Sequence, residues 1–306
     1  ADTITVLRQG RTVTTVDSSE VTAQELAELM VGSELPAPST EPRASDEHVM
    51  LSMQGLSVAD ADGRSAVDAV NLDVHRGEIV GVAGVEGNGQ GELIEAVLGL
   101  RPTSGGDLLL DGESMAGWPV RRRREAGIGY VPEDRHRRGL LPDAPLWENA
   151  MLGHQTQPPY ARGPWLNRSG AREATTRIVS SFDVRTPGID TSARALSGGN
   201  QQKLVIGREM QAGPRMLVAA HPTRGIDVGA QAAVWENLRT ARRDGLAVLL
   251  VSADLEELIG LADRLVVMLR GRIVAELDPA TTTPRLLGGH MTGAAGEATD
   301  DEGRTP

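Results

Sequence analysis

The segment from Glu78 to Leu100 constrains the fold of this chain more than any other. It begins with a short apolar run, Glu78–Ala83, continues into a loop that holds four glycines between positions 84 and 91, and ends in the amphipathic stretch Gln90–Leu100. A buried strand that leads through a glycine-rich turn into a helix is the first half of a βα unit.

Further segments continue this alternation of strands and helices. Two apolar runs, Met216–Ala220 and Ala247–Ser252, suit central parallel strands, and the amphipathic stretches Val228–Arg243 and Asp254–Ala262 suit the helices that follow them. The other predicted strands are Val49–Ser57, Ala66–Val74, Gly106–Leu110 and Ile128–Val131. One more helix is predicted over Ala171–Phe182. The sequence therefore predicts an α/β domain with a mainly parallel sheet.

Composition excludes several classes of protein. The chain has 306 residues, of which 40% are hydrophobic, enough for one or two packed domains. Its net charge of -11 argues against a nucleic-acid-binding surface, and the absence of cysteine excludes disulfides and thiolate metal sites. The longest aliphatic run, Leu246–Val251, is far shorter than the roughly 20 residues of a membrane-spanning helix.

The loop after Glu78–Ala83 has the glycine spacing of a P-loop, G-x-x-x-x-G-K-[ST], in which backbone N–H groups surround phosphate at a helix N-terminus. Gln90 replaces the lysine of that pattern, and Gly91 replaces the Ser or Thr that would hold Mg²⁺. Lys203 is the only lysine of the chain, and losing a charge-assisted contact to phosphate costs about 1.5–3 kcal/mol. The alternative is a glycine-rich turn without a ligand. The candidate nucleotide contacts are Gly84, Gly87, Asn88, Gly89, Gln90, Gly91 and Glu92.

The run Leu196–Lys203 reads LSGGNQQK and resembles the signature motif of ATP-binding-cassette (ABC) ATPases, in the spelling of sugar and nucleoside importers. The resemblance implies a P-loop NTPase cassette with a mainly parallel sheet core, an antiparallel β subdomain and an α-helical signature subdomain. It also implies that the signature acts across a dimer interface on ATP held by the P-loop of a partner domain. The candidate signature residues are Ser197, Gly198, Gly199 and Asn200. They stand at the start of a predicted helix, which Ser197 is also expected to cap.

Other segments resemble the catalytic motifs of the same family, with substitutions at the chemical positions. Met216–Asp227 resembles the Walker B strand and the D-loop, but Ala220 and His221 stand where active relatives carry the Mg²⁺-orienting Asp and the catalytic Glu. His221 is a candidate base, and the resemblance places Asp227 at the dimer interface.

The remaining nucleotide-contacting motifs are altered as well. Val251–Glu257 resembles the switch region with Ala253 in place of its histidine, and Tyr130–Arg135 resembles the Q-loop region with Glu133 in place of its glutamine. Together these substitutions remove the charge, metal ligands and base that phosphoryl transfer requires.

The beginning of the chain matches its own later part. Residues 1–32 align with residues 262–293 at a fixed offset of 261 positions, without a gap and with eleven identities. Self-similarity at a fixed offset indicates a duplicated unit, and chance is the alternative. The expected domains are the tail of a truncated first cassette (1–32), a linker (33–48), a second cassette (49–293) and a disordered tail (294–306).

One dense basic cluster, Arg121–Arg124 with Arg135, Arg137 and Arg138, has two interpretations. A solvated helical face is favoured over a binding surface. By resemblance, the region around the Q-loop receives a coupling helix of the membrane subunit. Tyr160 and Trp165 either line that groove or fill the core.

Taken together, these motifs predict the ATP-binding subunit of an ABC importer for nucleosides or simple sugars, peripheral to the cytoplasmic face of the membrane. The resemblance implies ATP and Mg²⁺, mainly at the partner cassette's site. It implies as partners a first cassette, membrane permease subunits and, indirectly, a periplasmic or lipoprotein solute-binding protein, but no nucleic acid. This cassette would hydrolyse little ATP alone and would donate its signature to a composite site. The alternatives are a self-dimerising ATPase that uses His221 as base and a soluble twin-cassette factor acting on ribosomes or DNA.

Overall fold

The computed structural model describes residues 2–8, 11–21, 25–26, 29 and 47–294. The strands are β1 Thr3–Arg8, β2 Arg11–Asp17, β3 Val49–Ala59, β4 Ser65–His75, β5 Ile79–Ala83, β6 Gly105–Leu110, β7 Glu113–Ser114, β8 Ile128–Val131, β9 Ala161–Arg162, β10 Trp165–Leu166, β11 Met216–Ala220, β12 Ala247–Val251, β13 Arg264–Leu269 and β14 Arg272–Leu277. The α-helices are α1 Gln90–Leu98, α2 Val120–Glu125, α3 Leu146–Ala150, α4 Arg168–Ser181, α5 Gly198–Gln211, α6 Val228–Arg243, α7 Leu255–Leu261 and α8 Pro284–Thr292.

A six-stranded sheet in the order β14-β13-β5-β12-β11-β8 forms the centre of the main domain. Five of its strands run parallel, and β14 pairs antiparallel with β13. Strands β5, β11 and β12 are buried along their whole length, because helices cover both faces of the sheet. This confirms the predicted α/β fold and brings the loops after β5, β11 and β12 to one edge.

Two smaller parts flank the sheet, as the predicted subdomains require. A four-stranded antiparallel sheet in the order β4-β3-β6-β7 packs its apolar face onto α1 and the central sheet. Helices α3, α4 and α5 and the short hairpin β9-β10 form the helical part. Helix α5, which carries the signature, packs against α4, α6 and β8.

Two predicted helices have different ends in the structure. Helix α1 stops at Leu98 rather than Leu100, because Gly99 adopts a left-handed φ of 76° and its N–H bonds back to the carbonyl of Ala96. Helix α4 begins at Arg168 rather than Ala171, because Asn167 Oδ1 accepts a hydrogen bond from the Gly170 N–H at 3.2 Å and caps the earlier turn.

The hairpins β1-β2 and β13-β14 have the same geometry at the same offset as the sequence match. Strand β1 starts and ends 261 positions before β13, and β2 starts 261 positions before β14. Five of the six partner pairs of the first hairpin have a counterpart in the second; Thr5 faces Thr15 as Val266 faces Glu276. The single register shift also recurs, between Val6 and Leu7 and between Val267 and Met268. Residues 33–46 of the predicted linker and residues 295–306 of the predicted tail lie outside the described residues.

Within the described ranges, no helix combines the length and the apolar character needed to span a bilayer.

Candidate functional site

The glycine loop between β5 and α1 is held in an unusual backbone conformation. Gly87 and Gly89 have left-handed φ angles of 88° and 103°. A Cβ at Gly89 would lie 2.2 Å from the carbonyl oxygen of Ala66 on β4, so only glycine fits there. Asn88 fastens the loop, because its Nδ2 donates to the Val85 carbonyl at 2.9 Å and its Oδ1 accepts from the Arg270 N–H at 2.7 Å.

Gln90, which replaces the expected lysine, fills the inside of this loop. Its side chain is buried, and its Nε2 donates to the Val85 carbonyl at 3.3 Å. A Cβ at Gly84 would lie 2.1 Å from the same nitrogen, which shows how closely the amide approaches the loop backbone. Next to it, Gly91 faces open space. The loop keeps the backbone path of a phosphate site but lacks its cation and its Mg²⁺-binding hydroxyl.

A cavity of about 290 Å³ lies at the carboxyl edge of the sheet, in front of this loop. It brings together seven of the sequence-predicted residues: Gly84, Gly87, Gln90, Gly91, Glu92, Glu133 and His221. Asn88 and Gly89 support the loop from behind without lining the cavity. The carboxylates of Glu86, Glu92 and Glu133 face a space that would have to accept a polyanion, so the lining disfavours nucleotide phosphates.

Arg224 is a functional candidate that the sequence reasoning missed. Its Nη1 lies 3.6 Å from Glu86 Oε1 and forms a shorter ion pair with Glu133 Oε1, so one guanidinium joins the phosphate loop to the Q-loop position. The signal was present in the sequence, because Arg224 stands between His221 and Asp227 in a segment already assigned to the site. Because Arg224 is paired with Glu86 and Glu133, its charge is already engaged beside the phosphate loop.

His221 adopts a left-handed φ of 46°, and its imidazole is already engaged. Its backbone N–H donates to the Val251 carbonyl at 2.8 Å, and its ring Nδ1 accepts from the Ala253 N–H at 3.3 Å. Burial lowers the pKa of His221, so the ring is neutral at pH 7. Because the backbone occupies the basic nitrogen of the neutral ring, His221 is badly placed to accept a proton from water. The part of the chain that the structure describes also holds no cluster of three or more His, Asp or Glu side chains suited to a metal ion.

The signature residues lie at the exposed N-terminus of α5. Ser197 was expected to cap this helix, but its side chain makes no capping hydrogen bond. Its Oγ instead accepts from Asn200 Nδ2 at 2.9 Å, while Asn200 Oδ1 accepts from the Arg185 N–H at 2.7 Å. The capping prediction was wrong because Asn200 competes for the hydroxyl. The first-turn N–H groups of α5 are therefore not used by Ser197, and this helix end retains the geometry of an anion site.

Gly198, Gly199 and Asp227 form one packed cluster. A Cβ at Gly199 would lie 3.0 Å from Ala230 Cβ and 3.3 Å from Asp227 Oδ2, so the signature turn packs directly on the D-loop. Asp227 Oδ1 accepts from the Ala230 N–H at 2.9 Å and caps α6. None of Ser197, Gly198, Gly199, Asn200 and Asp227 lines the phosphate-loop cavity. The chain therefore presents a signature face and a phosphate-loop face as two separate sites.

The carboxyl-terminal half of α5 is anchored by a buried charge cluster. Glu209, 1% exposed, accepts from Arg124 Nη1 at 2.7 Å and from Arg208 Nε at 2.8 Å. Burial opposes its ionisation, but Arg208 and Arg124 outweigh burial and hold the pKa of Glu209 well below its usual range. His154 Nε2 lies 3.8 Å from Glu209 Oε2.

The arginine run is only partly the solvated face that the sequence favoured. Arg121 and Arg122 are exposed, but Arg123 is buried and its Nη1 donates to the carbonyls of Ala96 and Val97 at 2.5 and 2.8 Å. These carbonyls lie in the last turn of α1, where backbone donors run out, so Arg123 supplements the Gly99 N–H at the Ala96 carbonyl and also bonds the Val97 carbonyl. The solvated-face interpretation was therefore wrong for Arg123 and for Arg124, which pairs with Glu209.

A groove of about 650 Å³ lies beside the arginine run. Its apolar wall includes Leu98, Leu100 and Leu141, and its rim carries Arg137 and Arg138. Tyr160 lies outside it, buried with Ala171 and Ala174, while Trp165 is 77% exposed on the hairpin β9-β10. Neither aromatic residue lines the groove.

Comparison with known proteins finds a matching family and several similar import proteins. Residues 67–224 match the family model described as ABC transporter. The guanosine import ATP-binding protein NupO of Bacillus subtilis is 44% identical over 293 residues, which are 96% of this chain and 58% of that protein. The nucleoside import ATP-binding protein NupA of Lactococcus lactis is 40% identical over 96% of this chain and 58% of its own length. The chain therefore spans less than two thirds of these relatives.

A ribose import ATP-binding protein, RbsA 1 of Rubrobacter xylanophilus, is 38% identical over 94% of this chain and 56% of its own length. Among solved structures, a nucleotide-free ATP-binding cassette from an ABC transporter superposes with a TM-score of 0.66 at 20% identity, over 78% of this chain and 97% of that one. A dimeric post-hydrolysis cassette bound to ADP and phosphate gives 0.66 at 20% identity, over 75% of this chain and 99% of that one. These two likenesses establish the fold.

Proposed function

Because this chain belongs to the ABC transporter family, we propose that it acts as the ATP-binding subunit of an importer for nucleosides or simple sugars. In that role it couples ATP binding and hydrolysis to transport at the cytoplasmic face of the membrane. The relatives named as guanosine, nucleoside and ribose import ATP-binding proteins support this solute class. The guanosine import relative, at 44% identity, favours nucleosides, while a glucose import relative at 40% supports keeping simple sugars in the proposed solute class.

We further propose that this cassette donates its signature to a composite site instead of hydrolysing ATP itself. One contrast carries this proposal. The signature turn is intact and its Ser197 is exposed, whereas the phosphate loop holds Gln90 in place of the lysine and its Glu86 pairs with Arg224. ATP and Mg²⁺ would then bind mainly at the phosphate loop of the partner cassette. Ser197 and the first-turn N–H groups of α5 would contact the phosphates from the opposite side.

The partner cassette in this proposal is a first cassette of the same ATPase, and residues 1–32 are its carboxyl-terminal tail. The supporting observation is the pair of hairpins, β1-β2 and β13-β14, which share five partner pairs and the position of their register shift. A second copy of one fold reproduces such an irregularity, whereas two unrelated hairpins would have to acquire it independently.

Membrane permease subunits are the second proposed partner, with a solute-binding protein of the periplasm or a lipoprotein contacted indirectly. The groove suits a partner helix with an apolar face, because the exposed Leu100 and Leu141 side chains line it together above the buried Leu98. Leu100 and Leu141 are 55% and 48% exposed in the chain alone, which is unfavourable unless a partner covers them.

Replacement of Ser197 by arginine tests the composite site. We expect Ser197→Arg to abolish ATP hydrolysis by the joined cassettes, since a bulky cation would occupy the space for the partner's phosphates. Ser169→Arg is the matched control, because Ser169 is also an exposed serine in the first turn of a helix. Hydrolysis that persists in Ser197→Arg at the rate of the control would refute the proposal.

A further inference from the structure

The phosphate loop of this chain is crossed by an ion-pair bridge that starts on the D-loop. Arg224 Nη1 contacts Glu133 Oε1 and lies 3.6 Å from Glu86 Oε1. Without the guanidinium, two carboxylates would face each other across the cavity mouth. The bridge therefore offsets part of this negative charge and connects three segments that are remote in sequence.

The backbone at Arg224 is in turn held by a second arginine, Arg135. Its Nη1 donates to the Arg224 carbonyl at 3.0 Å, and its Nη2 donates to the Gly225 carbonyl at 3.3 Å. Its Nε donates to Gln201 Oε1 at 3.2 Å, in the first turn of the signature helix. One planar guanidinium thus joins the D-loop to α5, a geometry that lysine cannot reproduce.

The contact with the signature turn is close. A Cβ at Gly198 would lie 2.7 Å from Arg135 Nη2, so this glycine lets the guanidinium lie against the turn. Gln201 is 6% exposed and also donates to the Ala193 carbonyl at 3.0 Å, which fixes its amide orientation. His136 Nε2, at 2.8 Å from Gln201 Oε1, is a further contact to the same amide.

We propose that Arg224 and Arg135 are positioning residues that hold the signature of this chain in its working geometry without nucleotide in the chain's own phosphate loop. Arg224 ties the P-loop and the Q-loop position to the D-loop, and Arg135 ties the D-loop to α5. The protein's own ion pairs thus perform the organising task that bound nucleotide would otherwise perform. The functional meaning of a positioned signature rests on the proposed function, but the positioning itself is measurable on this chain alone.

Hydrogen–deuterium exchange on the isolated 306-residue chain tests the positioning. We expect Arg135→Ala to accelerate exchange about tenfold at the Gln201 amide, whose N–H donates to the Ser197 carbonyl at 2.9 Å and closes the first turn of α5, because three hydrogen bonds from a charged donor are lost. Arg121→Ala is the control, since Arg121 is 70% exposed and pairs only with Glu125 on its own helix. Exchange equal to wild type in Arg135→Ala would overturn the proposal.

Swapping the charges of Arg224 and Glu133 distinguishes a loss of positioning from misfolding. Arg224→Glu should loosen the same turn, and Arg224→Glu combined with Glu133→Arg should restore its protection. The same turn should be as protected in the wild-type chain without nucleotide as with millimolar Mg-ADP. Failure of the double variant to regain protection, or strong protection of α5 by Mg-ADP in the wild type, would contradict the proposal.

A partner cassette with an intact phosphate loop distinguishes failure of the proposal from failure of the proposed function. If the wild-type chain stimulates that partner's ATPase, Arg135→Ala should lower the rate at saturating chain about tenfold while the concentration for half-maximal stimulation changes much less. Stimulation by wild type with no loss of rate in Arg135→Ala would refute positioning alone. No stimulation by wild type would refute the proposed function and leave the exchange result to decide the positioning.

Discussion

Gln202 Nε2 donates a 2.6 Å hydrogen bond to the carbonyl oxygen of Pro222, which joins the signature helix to the residue directly after His221. Gln202 is 2% exposed, so the bond is made away from water. The same segment is tied to α7, because Thr223 Oγ1 donates to the buried Glu257 Oε1 at 2.7 Å. The signature helix and the D-loop therefore form one mechanical unit.

Replacement of Gln202 by alanine tests this unit. We expect Gln202→Ala to lower the free energy of unfolding by about 1–3 kcal/mol, because the buried Pro222 carbonyl loses its partner. Urea denaturation measures the loss, with Gln54→Ala on the exposed side of β3 as control. A Gln202→Ala chain as stable as that control would show that the hydrogen bond is dispensable.

Restoring the two missing groups of the phosphate loop should restore nucleotide binding. The double variant Gln90→Lys with Gly91→Ser should bind Mg-ADP about 10- to 100-fold more tightly than wild type, because a charge-assisted phosphate contact returns. The serine has room, since nothing lies within 4 Å of a Cβ at Gly91. Calorimetric titration measures the affinity, and Gln90→Met with Gly91→Ser is the uncharged control. Equal affinity of the two double variants would mean that the surrounding carboxylates dominate the site.

Glu209 should make stability dependent on pH. Removal of its charge in Glu209→Gln leaves Arg208 and Arg124 buried without their anion, and we expect a loss of about 3 kcal/mol at pH 7. Because the folded-state pKa of Glu209 lies below that of the unfolded chain, its contribution is complete above about pH 5 and declines as pH falls. Urea denaturation between pH 7 and pH 3 should therefore show that the free energies of unfolding of wild type and Glu209→Gln converge toward low pH. A gap that does not narrow would contradict this assignment.

His221 distinguishes the composite site from a self-dimerising ATPase. We expect His221→Gln to leave the stimulated ATPase of a partner cassette unchanged, because the Nδ1 of His221 is engaged by the Ala253 N–H. Since burial lowers the folded-state pKa of His221, wild type should lose stability relative to His221→Gln as pH falls below about 6.5. Concentration-dependent hydrolysis by the chain alone that disappears in His221→Gln would support the alternative.

Local sequence patterns predicted the strands of the central sheet and the helices that follow them. The runs of β11 and β12 are apolar over their full length, and the glycines before α1 allow one backbone path, so strand, loop and helix followed from neighbouring residues. The ion pair of Arg224 with Glu133 could not be predicted in this way, because 91 positions separate the two residues and their proximity depends on the packed sheet. The error at Ser197 has the opposite origin, because the nearby Asn200 takes the hydroxyl that a capping rule assigns to the helix.

One titration tests whether this chain supplies a signature to a partner cassette and not a phosphate loop of its own. Steady-state Mg-ATP hydrolysis is measured for a fixed amount of the first cassette while this chain is added. We expect stimulation that saturates near one chain per cassette. No stimulation of the partner, together with hydrolysis by this chain alone, would contradict it.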